Sequence, residues 1–132
     1  MKHQVALKIA SLLSILLFSL HLADDMVRGF EPGNLSNYPG ILILAVWLYA
    51  TLVLAERRSG YVILLLASLL GSGVPVLHMK GAGVGGKIAT SSGGLLFIWT
   101  LLALGATSLF SLILAARGLR SATLKRTQGP SE

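Results

Sequence analysis

Four stretches of this chain each run close to twenty residues with almost no charge, and that repetition limits the fold more than any other feature. They cover about 5–28, 38–55, 61–77 and 95–116. A helix rises about 1.5 Å per residue, so about 20 apolar residues cross a ~30 Å hydrocarbon core. The predicted fold is therefore all-α: an integral membrane four-helix antiparallel bundle, N-in/C-in, forming a single membrane domain over 1–132 with a polar cytoplasmic tail at 117–132. The second and third stretches are short, but Tyr, Trp or basic residues flank them and can sit in the headgroup layer. Gly29 suits the stop of the first helix. Ser36 or Asn37 can cap the second, with Pro39 in its first turn.

The start of the chain also resembles a secretory signal, with a basic 1–8 segment and an apolar 9–20 segment. Cleavage after Ala23 would place His21 where a small residue is needed, so a retained span is expected.

Composition agrees with lipid as the solvent. Hydrophobic residues make up 54% and charged residues 12%, against about 25% charged in a typical soluble domain. The absence of cysteine excludes disulfides, thiolate metal ligands and cysteine nucleophiles. The net charge of +6 does not point to nucleic acid, because the basic residues stand at the ends of apolar segments. Four crossings put Lys2, Lys8, Arg57, Arg58, Arg117, Arg120, Lys125 and Arg126 on one side, and Arg28, Lys80 and Lys87 on the other. The richer side is cytoplasmic by the positive-inside rule, so both termini are expected there, in a plasma or inner membrane. The tail after Arg117 reads as a polar, mobile end in contact with anionic lipid.

Helices in lipid associate through close packing of small residues. Ala103, Thr107, Ser111 and Ala115 form a ridge at steps of four, and Gly71 lies in a small-residue patch before Pro75. These are expected to be helix-packing positions. Trp47, Tyr49, Tyr61 and Trp99 are expected to be interfacial or packing aromatics.

The candidate ligands gather at the outer end. His21, Asp24, Asp25 and Arg28 share one helical face, and His78 follows the last apolar residue of the third span. Glu31 is close by in sequence. Imidazole with carboxylate suits a divalent metal, and His21 with His78 offers a second, less favoured option of axial haem ligation. The favoured plain reading is that charges collect at helix ends because the headgroup layer tolerates them.

The loop between spans three and four carries Lys80 and Lys87 among glycines; an ordinary flexible connection is the favoured reading, and a lid or phosphate contact is the alternative. Gly81–Lys87 formally matches a phosphate-binding loop, but Ile88 stands where Ser or Thr must bind magnesium, and no strand precedes it.

The leading expectation is a non-enzymatic accessory or structural component of a larger membrane assembly or homo-oligomer, embedded in the lipid bilayer. The alternative is a binding or transport protein for a cation or small polar ligand at the outer His/Asp rim. An outer-surface enzyme ranks third, since no nucleophile stands in a recognisable setting.

Overall fold

The computed structural model describes residues 2–31, 33–34, 37–79, 88 and 90–127. Four helices account for most of these: α1 (Lys2–Arg28), α2 (Tyr38–Leu52), α3 (Arg58–Met79) and α4 (Gly94–Thr127). No strand occurs among the described residues.

Three of the helices, α1, α3 and α4, are long and apolar enough to cross a membrane. At 1.5 Å per residue, α1 reaches about 40 Å, α3 about 33 Å and α4 about 51 Å. The 15 residues of α2 reach only about 22 Å, so the expected second span is shorter as a helix than its apolar sequence. Its ladder stops at Leu52, and the apolar 53–55 segment follows as a turn, with Val53 N–H bonding Tyr49 O at 2.9 Å and Leu54 N–H bonding Ala50 O at 3.2 Å. The opposite correction applies to α4. It continues to Thr127, so 117–127, expected as a mobile tail, is helical.

The helix ends follow local chemistry. Gly29 adopts φ +76°, a conformation that costs a residue without Cβ little. Its N–H bonds Met26 O at 3.1 Å, and Phe30 N–H bonds Asp25 O at 2.9 Å. Together these close α1 with a Schellman motif. Asn37 is the N-cap residue of α2 but makes no side-chain cap hydrogen bond, and Pro39 stands at the helix start.

Contacts run cyclically from α1 to α2 to α3 to α4 and back to α1, with a weaker diagonal between α1 and α3. The heaviest packing is of α4 on α3 and α1. Trp47 fills the centre, fully buried, against Phe18 with ring centroids 6.2 Å apart. Its ring reaches Gly71, where an added Cβ would stand 3.0 Å from Trp47 Cη2 and 2.5 Å from Ser108 Oγ. Only a residue without a side chain lets α3 and α4 approach this closely.

Hydroxyls bridge the helices at mid-depth. Trp47 Nε1 donates to Ser11 Oγ at 2.9 Å, and Ser11 Oγ lies 2.7 Å from Thr51 Oγ1. Ser14 donates to Thr107 at 3.2 Å, and Ser68 to Ser111 at 2.9 Å. Such interhelical bonds contribute about 0.6 kcal/mol each in a bilayer. The predicted ridge on α4 takes part directly: Thr107 and Ser111 accept these bonds, Ala115 is fully buried, and Ala103 is half-buried. Pro75 lies inside α3 and packs against Gly105, where a Cβ would come within 2.7 Å of the proline ring.

Candidate metal centre

At one end of the bundle, the C-terminal turns of α1 and α3 meet the first turn of α4. Along α1 the buried positions are Leu7, Ala10, Ser11, Ser14, His21 and Asp25, a stripe at helical spacing that ends on two ionisable side chains. Beneath them lies an apolar layer of Val74, Phe97, Leu101 and Leu104, with Leu17 and Phe18 packed on it. This layer separates the ionisable end from the hydroxyl bridges of Ser14 with Thr107 and Ser68 with Ser111.

His21 and His78, 57 positions apart, meet edge to face with ring centroids 4.7 Å apart. Phe97 packs on both, 5.4 Å from the His21 ring and 5.8 Å from the His78 ring. Asp25 Oδ2 lies 3.3 Å from His21 Nε2 and 3.5 Å from His78 Nε2. One potential ligand atom from each of the three residues lies within 4.8 Å of the others. His21 and Asp25 are buried, and His78 is partly so.

Two details give this cluster its chemistry. His78 Nδ1 stands 3.0 Å from Val74 O. A carbonyl only accepts, so Nδ1 carries the proton, and in the neutral ring Nε2 is a lone pair facing Asp25. This is the arrangement in which a carbonyl orients a histidine for a metal. Second, His21 Nδ1, His21 Nε2 and Asp25 Oδ1 are buried without a hydrogen-bond partner. The 3.3 Å approach of His21 to Asp25 is therefore close but poorly aligned for a hydrogen bond. Buried polar atoms left unpaired cost about 1–3 kcal/mol each, and a cation held by Asp25 and one ring nitrogen of His21 would relieve part of that cost.

The spacing suits a small divalent ion. Metal–ligand bonds of about 2.0–2.1 Å in a tetrahedron place ligand atoms about 3.3–3.4 Å apart. Both nitrogen–carboxylate separations already match, and only the distance between the two imidazoles must contract. Two histidines and one carboxylate leave a fourth position for water or solute, and the donor set suits zinc, iron or manganese. A haem does not fit: its plane would have to lie between the two imidazoles, where the Asp25 carboxylate stands.

The other candidates divide around this centre. Asp24 turns away from it and accepts from Arg28 Nε at 2.8 Å. Arg28 also donates to Ser91 Oγ at 3.0 Å and lies 5.5 Å over the Phe97 ring, so its guanidinium covers the outer mouth. Gly93, at φ +75°, makes the turn beneath it, and a Cβ there would stand 3.3 Å from Arg28 Nη2. Glu31 is exposed and does not join the cluster. Lys80 and Lys87 lie outside the described residues. Ile88, the described residue at the end of their loop, is buried in the same apolar layer. Sequence reasoning missed Phe97 and Ser91, for which no local signal exists.

No family model matches this chain, and no curated protein or solved structure matches it either. The function therefore rests on the geometry of the site.

Proposed function

We propose that this chain is a four-span antiparallel membrane bundle, with both termini cytoplasmic, that binds a divalent transition-metal ion of the zinc class. The ion is held near the extracytoplasmic end by His21, Asp25 and His78. The observation that carries this reading is the convergence of three buried or partly buried ligand atoms from two helices, with His78 already oriented by Val74 O. Two further features support the placement. Ionisable side chains inside a span are costly and mark functional sites, and the apolar turn at 53–55 lengthens the short second crossing.

Binding, rather than passage, fits the layer beneath the site. An ion moving inward would meet the apolar side chains of Phe97, Leu101 and Leu104, and the buried hydroxyl of Thr100 at that depth is taken up by the Leu96 and Phe97 carbonyls of its own helix.

Metal content of the detergent-purified protein tests the reading directly. One equivalent of zinc, or a cobalt absorption spectrum of a tetrahedral site, is expected in the wild type and lost in a His21→Ala/His78→Ala variant. Absence of stoichiometric metal in both would sink it. Orientation is read separately in this cysteine-free chain, by labelling Ser59→Cys and Ser92→Cys with an impermeant maleimide from either face.

An accessory role in a larger assembly is the second reading. It is favoured by α2, which turns Ile41, Leu42, Val46 and Tyr49 outward and offers them to lipid or to another helix. Recovery of a stoichiometric partner after mild solubilisation tests it.

A further inference from the structure

The opposite end of the bundle holds a second polar site. A cleft of about 830 Å³ opens between the first turns of α1 and α3 and the lower part of α4, lined among others by His3, Gln4, Lys8, Glu56, Tyr61 and Arg117. Its size falls within the ~300–1,000 Å³ range of small-molecule sites. Tyr61 is buried and packs on Gly118, where any Cβ would collide with its ring. The ring thus forms a fixed floor. Gln4 Nε2 donates to Tyr61 Oη, which leaves the tyrosine proton available to an acceptor.

Three features define the ligand. Lys8 and Arg117 outweigh Glu56, the only acidic group lining the cleft among the described residues. Glu56 lies 3.8 Å from Lys8, while Arg117 forms no ion pair among the described residues. His3 Nε2 and Gln4 Oε1 are buried without hydrogen-bond partners, so an unsatisfied nitrogen and an unsatisfied acceptor border the same space. Depth supplies the third. Arg28 lies over Phe97 at the outer end, and about 20 residues of helix separate Arg28 from Lys8 along α1 and Phe97 from Arg117 along α4. Both intervals span about 30 Å, the thickness of a hydrocarbon core. Lys8 and Arg117 therefore stand at the level of the inner headgroups.

We infer that this cleft binds a phosphodiester anion, the headgroup of an anionic phospholipid of the cytoplasmic leaflet. The phosphate accepts from Arg117, Lys8 and Tyr61, and headgroup hydroxyls donate to Gln4 Oε1. The lipid source rests on the membrane placement proposed above; the anion chemistry of the cleft does not.

The test is native mass spectrometry of the detergent-purified full chain with phosphatidylglycerol, phosphatidylcholine or inorganic phosphate. Phosphatidylglycerol is expected to bind in preference to phosphatidylcholine. Each basic residue near anionic lipid contributes about 1 kcal/mol, so Lys8→Gln or Arg117→Gln should weaken binding about fivefold and the pair about twenty-five-fold. Arg117→Lys, which keeps the charge, should restore most of it. Arg120→Gln, at the same end but not lining the cleft, should leave it unchanged. Displacement of the lipid by millimolar inorganic phosphate would support the anion site with a soluble phosphate as its source. Equal binding of the two lipids, or an Arg120→Gln loss equal to that of Arg117→Gln, would overturn the proposal. A chain that stays in solution after detergent removal would overturn the membrane placement and the lipid source, while the inorganic phosphate arm still reads the cleft.

Discussion

His78 Nε2 faces Asp25 Oδ2 at 3.5 Å, while its other ring nitrogen is held by the backbone of its own helix. Two helices that are distant in sequence thereby present a lone pair and a carboxylate to the same point.

Protons should compete with the metal. Imidazole binds a metal only when neutral, so affinity should rise with pH, and metal uptake should release protons into a weakly buffered solution. Titration with zinc under a pH indicator checks this. An affinity that stays constant as the pH falls would remove the histidines from the coordination shell.

Asp25→Asn should separate stability from binding. A buried carboxylate without a well-aligned partner is costly, so the metal-free variant should melt within about 1 kcal/mol of the wild type or above it. Zinc at 100 times its dissociation constant should stabilise the wild type by about 2.7 kcal/mol and the variant by much less. Thermal melts with and without zinc distinguish the two.

Arg28 should control exchange more than affinity. Its contacts with Asp24, Ser91 and Phe97 cover the mouth without supplying a ligand. Losing hydrogen bonds of this charged kind costs about 1.5–3 kcal/mol, so Arg28→Ala should let a chelator strip the metal at least tenfold faster. Equilibrium affinity should change little. A variant that loses metal at the wild-type rate would mean that entry lies elsewhere.

Two helix glycines should respond oppositely to alanine. At Gly71 the added carbon meets Ser108 and Trp47, whereas at Gly73 nothing lies within 4 Å. Gly71→Ala should destabilise by about 1–3 kcal/mol through overpacking. Gly73→Ala should be neutral or stabilise by up to about 1 kcal/mol, since alanine is the better helix former. Paired unfolding measurements in one detergent decide this.

The helices were legible because lipid-length apolar runs and helical spacing are local properties. The face carrying His21 and Asp25 could be read from their separation of four residues. The meeting with His78 could not be established, because it depends on how α1 and α3 are rotated against each other. Those rotations are set by contacts such as Trp47 with Ser11 and Gly71 with Ser108, which no single segment announces. Ser11 and Ser14 did carry a signal, lying on the same stripe as His21, but small hydroxyls in an apolar run are easily passed over. The end of α2 at Leu52 was hidden for the opposite reason: 53–55 stays apolar while the backbone leaves the helix.

Pro75 bears on how the metal centre would assemble. Proline donates no backbone hydrogen bond, so the Gly71 carbonyl, one turn below, lacks the usual tie to the segment that carries His78. Asp25 and His21 ride on a helix closed by a Schellman turn and packed along its whole inner stripe. The two halves of the ligand set thus differ in mechanical compliance. If the proposed ion binds, the imidazole expected to close on it is His78, on the final turn of α3, with His21 and Asp25 holding still as the anvil.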